Sequence, residues 1–190
     1  MKGDTDSALS AVGIEQAELT GKWLAASPID LVLTSPLKRA RETAQLIASN
    51  LRRKSPSLEV REVPELKEIA LGVFTGLTRE EAAILFPADY AAFALKSFEG
   101  VSGAEKIVNL KERATKVWRL LQEEVKQGLH HIICVTHKGF LQWLLRLPFG
   151  FYEWMPLFEV DYCGIYRLRF ANSTKGYYAT WDLLNFTPWH

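Results

Sequence analysis

Two short stretches of this sequence carry the residue types of anion chemistry. "LTSPLKRARETA" places Arg39 just after an apolar run, and "CVTHKG" places His137 and Lys138 at the end of another. A guanidinium offers a planar fork of donors to oxyanions, and an imidazole adds a donor that can change charge near neutral pH. A helix that starts just after each stretch would aim its first backbone N–H groups the same way. If the two apolar runs are parallel strands, these donors meet beyond the carboxyl ends of the strands, where α/β sheets hold ligands. Each residue also has a plain structural reading, Arg39 as a surface arginine and His137 as a hydrogen-bonded strand end. Residue types and spacing alone therefore stop at a pocket for phosphate or carboxylate.

The elements that must position these residues are legible around them. Ser10 can cap a helix running to about Ala26, which Pro28 ends. "IDLVLTS" reads as a short buried strand, with Ser35 as the N-cap and Pro36 as the first residue of the helix "PLKRARETAQLIASNL". "LEVREV" alternates and reads as a second strand. Thr78 and Glu81 form a capping box for "REEAAILF", a helix that Pro87 closes. A long helix spans about Ala104 to Gln127 and stops at Gly128. "HHIICVTH" is the third strand, and "GFLQWLLRL" is a helix ended by Pro148. The segments "PLFEVDYC", "GIYRLRF" and "GYYATWDLL" follow, the last two joined by the turn-rich "ANSTKG". Strands alternating with helices predict an α/β sandwich on a largely parallel sheet.

Bulk properties narrow the functional classes. At 190 residues the sequence reads as a single domain, 1–190, with no repeat, linker or low-complexity segment. A net charge of +1 gives no strong field for nucleic acid or an acidic membrane. Cys134 and Cys163 lack metal-like or CxxC spacing and read as buried free thiols. The polar start "MKGDTDSALS" is no signal peptide, and no apolar run has the length of a membrane span. A cytoplasmic setting follows as the expectation, and a homodimer is left open. Aromatic residues in "ADYAAFALKSF", together with Trp118, Trp143 and Trp154, are read as packing.

Several motifs in order resemble the histidine phosphatase superfamily, the phosphoglycerate mutase-like proteins. They are "GDTDSALSAVGIEQA", "VLTSPLKRARETAQLIA", "ELKEIALGVFTGLT", "SGAEKIVNLKERA" and "VTHKG", the last with Lys138 where glycine is commoner in the family. The resemblance covers roughly Gly3 to Leu147. It implies a three-layer α/β/α sandwich, phosphoglycerate mutase-like, with a mostly parallel central sheet and a C-terminal antiparallel hairpin. It also implies a phosphohistidine mechanism on a small phosphorylated metabolite. In that mechanism Arg39 holds the phosphoryl oxygens and His137 hydrogen-bonds them. Glu68, at the rim of the pocket, protonates the leaving oxygen and later activates water. No cofactor or metal is implied. Lys138, alternating away from His137, is a rim charge that attracts anions rather than a nucleophile. The segment "KEIALGVFTG" is more like the phosphatases of the family than its mutases. A mutase and a non-catalytic phospho-ligand binder remain the alternatives.

The sequence departs from the family at the nucleophile. The family opens with a strand ending in Arg-His-Gly, whose histidine attacks phosphorus, and "MKG" aligns just past that motif. His130 and His131 sit at the wrong end of their strand to replace it, and His190 is the last residue. Relative to the family the sequence is therefore expected to be N-terminally truncated. The absent strand would be a central one beside that of His137, and its absence is expected to leave strand edges unpaired.

Overall fold

Leu31, Val32, Leu33 and Thr34 form the strand β1 (Leu31–Thr34), and all four are buried. Burial on both faces is why this segment reads as a continuous apolar run with no polar alternation. Successive side chains point to opposite faces of a strand. Leu31 and Leu33 accordingly join a cluster with Leu110, Ala114, Val117, Phe140 and Trp143. Val32 joins Ala44, Ile47, Ala48, Leu51 and Leu58 on the other side. The computed structural model in which these contacts are seen describes residues 1–95, 97–151, 157–173 and 176–189, with the backbone alone over 94–95, 171–173 and 176–178.

β1 lies between β2 (Glu59–Glu62) and β3 (Ile132–Val135), and both pairings are parallel. The helices α1 (Ala11–Leu24) and α2 (Lys38–Leu51) pack with the Val32 cluster. The helices α5 (Ile107–Lys126) and α6 (Lys138–Arg146) cover the opposite face. This is the three-layer α/β/α arrangement, with its core on both sides of the sheet.

Local signals place most boundaries. The Ser10 hydroxyl accepts the Gly13 N–H at the start of α1. Thr78 and Glu81 make both bonds of a capping box at α3 (Arg79–Leu85). Gly128, with φ +95°, stops α5 in the left-handed backbone that glycine enters without strain. Pro87 does more than close α3: it is the first residue of α4 (Pro87–Leu95), a place that suits its fixed φ and missing N–H. The aromatic residues there pack as expected. Tyr90 and Phe93 stand against Phe74, with ring centroids 6.3 and 5.9 Å away.

α2 starts later than its sequence suggests. Lys38, not Pro36, is its first residue, and Leu37 rather than Ser35 stands at the N-cap position. Ser35 does not cap the helix. Asp6 does part of that work, its Oδ1 accepting the Lys38 N–H at 2.5 Å. α5 is also shorter than expected, because Glu105 is held by other bonds and Lys106 becomes the N-cap.

The chain ends in an antiparallel hairpin, β4 (Ile165–Ser173) with β5 (Gly176–Phe186). Residues 157–161 of "PLFEVDYC" form no strand. Trp154 and His190 fall outside the described residues. Ring contacts tie the hairpin to both helical layers, Trp23 to Phe186 at 5.0 Å and Trp118 to Phe170 at 6.0 Å. Among the described residues β3 pairs with β1 alone. Its other edge faces a cleft of about 2290 Å³, across which lie Ile165–Phe170 of β4. Cys134 and Cys163 are free and half-buried, and burial pushes their thiols up to about 12 and about 11. No helix among the described residues is long and apolar enough to cross a membrane.

Candidate active site

The parallel pairing of β1 and β3 brings their carboxyl ends side by side. The ladder continues one step past β1, with the Ser35 N–H donating to the Val135 carbonyl at 2.9 Å. Two residues beyond Val135, His137 turns into α6 at the N-cap position. There its Nε2 lies 2.8 Å from Ser35 Oγ. Ser35 Oγ already accepts the Leu37 N–H, so its own proton can point at Nε2. That assignment makes Nδ1 the protonated ring nitrogen and the atom His137 can offer to a ligand. Ser35 was read from the sequence as a helix cap. Its role as the partner of His137 depends on a contact across 102 residues, which no local pattern carries.

Burial, with the positive charges of Arg39 and Arg113 nearby, lowers the His137 pKa from 6.5 to about 3. The ring is therefore neutral at physiological pH, a hydrogen-bond donor rather than a cation. This shift has a stability consequence. The unfolded chain takes up a proton near pH 6.5 that the folded chain refuses until about 3. Stability falls as pH drops across that window, by up to about 1.4 kcal/mol per pH unit. Glu68, held above its ordinary 4.5, acts in the opposite sense, its contribution falling as pH rises from 4.5 through its folded value. His137→Gln removes the first effect and keeps the second. Urea unfolding from pH 6.5 down to 3 is expected to show a flatter fall in stability for the variant than for the parent. Parallel profiles would show that His137 is not held neutral.

Glu68, expected at the rim, is half-buried and turned onto the start of α6. Its carboxylate accepts the N–H groups of Gly139 at 3.2 Å, Phe140 at 3.0 Å and Ile69 at 2.9 Å. This arrangement explains the glycine after "HK". A Cβ at Gly139 would fall 2.6 Å from Glu68 Oε1 and 2.9 Å from Ile69 Cδ1. Burial raises the Glu68 pKa and outweighs the lowering by the three N–H donors and by Arg39. A carboxyl group that keeps its proton longer than usual suits a general acid.

The Arg39 guanidinium donates to the carbonyls of Thr5 at 2.5 Å and Gly3 at 2.9 Å. Together with the Asp6 bond to Lys38 and the Leu9 N–H on Glu42 at 2.8 Å, these bonds stitch residues 3–9 along α2. Both helix N-termini expected to face an anion are thus occupied by carboxylates of the chain itself, Asp6 at α2 and Glu68 at α6. Lys138 is exposed, as a rim residue should be, but it pairs with Glu159 at 3.0 Å. That partner offsets much of the charge that would attract an anion. His130 and His131 sit at the amino end of β3, where their N–H groups bond Asp30 at 2.8 Å. Arg39, Glu68, His137 and Lys138 all line the cleft beside β3. Among the described residues no group of three or more His, Cys, Asp or Glu is placed to hold a metal ion.

Known proteins resemble this chain in sequence and in fold. The model of the histidine phosphatase superfamily (branch 1) matches residues 1–182. Phosphoglycerate mutase-like protein 4 of Arabidopsis thaliana is 33% identical over 145 residues, which are 75% of this chain and 60% of that protein. A metal-independent phosphoserine phosphatase of the same plant is 34% identical over 145 residues, 75% of this chain and 58% of its own length. The chain thus spans about three fifths of the length of these two relatives. Among solved structures, the alpha-ribazole phosphatase of Shigella flexneri superposes with a TM-score of 0.79 at 26% identity, covering 98% of this chain and 88% of that one. With the family model matching residues 1–182 and relatives about a third identical over three quarters of its length, this chain belongs to the histidine phosphatase superfamily.

Proposed function

We propose that this chain is the phosphate-binding body of a phosphomonoesterase that acts on a small phosphorylated metabolite in the cytoplasm through a phosphohistidine. The observation that carries the reading is the grouping of Arg39, His137 and Glu68 along one cleft, past the carboxyl ends of β1 and β3, where burial lowers the His137 pKa and raises that of Glu68. Relatives named for phosphatase activity support the phosphatase reading, beside relatives named as mutases or mutase-like. The nucleophile belongs to a strand ending in Arg-His-Gly that these 190 residues do not contain. The cleft between β3 and β4 is where such a strand would lie, parallel to β3.

The chemistry then proceeds in two balanced displacements. A histidine nitrogen forms a bond to phosphorus as the bond to the ester oxygen breaks, and Glu68 gives that oxygen its proton. Glu68, now a carboxylate, takes a proton from water as the water oxygen attacks phosphorus, releasing phosphate and the free histidine. Arg39 and the His137 Nδ1–H steady the oxygens through both steps.

Phosphate recognition can be tested on the chain as it stands. Inorganic phosphate titrated into the 15N-labelled protein is expected to shift the His137 ring and the amides that start α2 and α6. Arg39→Ala should weaken that binding by roughly tenfold or more, the worth of a charged hydrogen bond. Binding that is untouched by Arg39→Ala, or shifts that map away from the cleft, would overturn the assignment.

A further inference from the structure

Glu68 sits in a loop, between a short turn at Pro64–Leu66 and the bridge residue Leu71, so its place needs support from elsewhere. Most of that support converges on one arginine. Arg113, on α5, donates from Nη1 to the carbonyls of Glu65 at 2.6 Å and Lys67 at 3.0 Å. The carbonyl between them, Leu66, accepts the Thr136 hydroxyl at 2.8 Å, one residue before His137. Arg113 is itself gripped by Glu105 in a bidentate pair, Nε to Oε1 at 2.7 Å and Nη2 to Oε2 at 2.8 Å. Glu105 in turn binds the far side of the loop, its N–H donating to the Ala70 carbonyl at 2.9 Å. The chain is therefore held just before Glu68 by Arg113 and just after it by the backbone of Arg113's ion-pair partner, Glu105.

The same guanidinium reaches the other side of the Glu68 carboxylate. Its Cζ lies over the Phe140 ring, 4.2 Å from the centroid. Phe140 is one of the residues whose N–H binds Glu68. Arg113 thus touches the loop that carries the carboxylate and the helix end that receives it. A planar fork with several donors and a stacking face can do both at once, and an ammonium cannot.

From this we infer that Arg113, locked by Glu105, is a positioning residue that sets the Glu68 carboxylate against the start of α6. It touches no reacting atom. The inference rests on Glu68 serving the leaving oxygen, but its test reads the hydrogen bonds of Glu68 and not turnover, so the two readings fail separately.

The experiment uses the amide signals of Gly139 and Phe140 in the 190-residue chain, with Glu68→Ala as the reference for their state without the carboxylate. Arg113→Met keeps the apolar stem and removes the fork. It is expected to move both amides toward their Glu68→Ala positions and to speed their hydrogen exchange by about tenfold or more, the loss of a charged hydrogen bond. Arg113→Lys should restore them only in part. Amides of the β1–β2 ladder, such as Val60, should stay where they are. A merely structural role would lower the melting temperature and leave Gly139 and Phe140 no more changed than Val60, which would overturn the inference. If Arg113→Met fails to fold, Arg113→Lys and Glu105→Gln carry the test through the same two amides, and unchanged amides in both would overturn it.

Discussion

Turnover of p-nitrophenyl phosphate by the 190-residue chain is expected to remain at the blank rate, and to rise by on the order of 10⁴-fold or more when a strand ending in Arg-His-Gly is joined ahead of Met1. The reason is a division of labour. In the proposed mechanism Arg39 and His137 bind phosphate and Glu68 serves the leaving group, but none is a free nucleophile. His137 is tied through Nε2 to Ser35, and Glu68 is committed to three N–H groups. Without an in-line nucleophile only direct attack by water remains. The added strand has a place to pair, the edge of β3 that has no strand partner among the described residues, with β4 across the cleft. A gain in activity should therefore come with a gain in thermal stability, and acid-quenched samples should contain phosphohistidine. If the 190-residue chain is as active as the extended one, and Arg39→Ala or His137→Ala removes that activity, the phosphohistidine mechanism is wrong. If the extended chain is stable but inactive, the binder reading takes over.

Gly139→Ala is expected to separate stability from activity. The added Cβ would meet Glu68 Oε1 at 2.6 Å and Ile69 Cδ1 at 2.9 Å, both ends of flexible side chains. Such atoms can swing away, so the fold survives with a loss of about 1–3 kcal/mol from the broken hydrogen bonds. The carboxylate, however, cannot stay at the start of α6. In the extended chain, kcat should fall by roughly a hundredfold or more, the usual worth of a general acid. Combining the substitution with Glu68→Gln gives the sharper measurement. Two changes that disable one group do not add. The double variant should be about as slow as Glu68→Gln alone. Additive losses would mean that Gly139 acts on something other than Glu68.

What the sequence reveals of this protein divides along the range of the interactions involved. A continuous apolar run marks β1 because both of its faces are covered, and a similar run marks β3, half-buried beside the cleft. Ser10, the Thr78–Glu81 box and Gly128 gave their positions away because caps are local chemistry. Arg39 and His137 stood out by type and by place at strand ends, whereas Glu68 was found only through the family's motif. Ser35 does not cap its helix because its better partner, His137, lies beyond the end of another strand. The occupation of both helix ends by Asp6 and Glu68 was hidden for the same reason, and so was Arg113, one charged residue among many on an amphipathic helix. Pro87 shows the local limit, since one residue can end a helix and begin the next.

The contact between Ser35 and His137 spans 102 residues, and the β1–β3 ladder beneath it closes the same long loop. The β4–β5 hairpin pairs segments only two residues apart in the sequence. Bringing distant segments together costs chain entropy that grows with the loop, so local pairing is expected early in folding and the β1–β3 ladder late. The two halves of the site are therefore strangers until the sheet is complete. A nascent or partly opened chain can hold its hairpin and its helices while Ser35 and Arg39 are still far from His137.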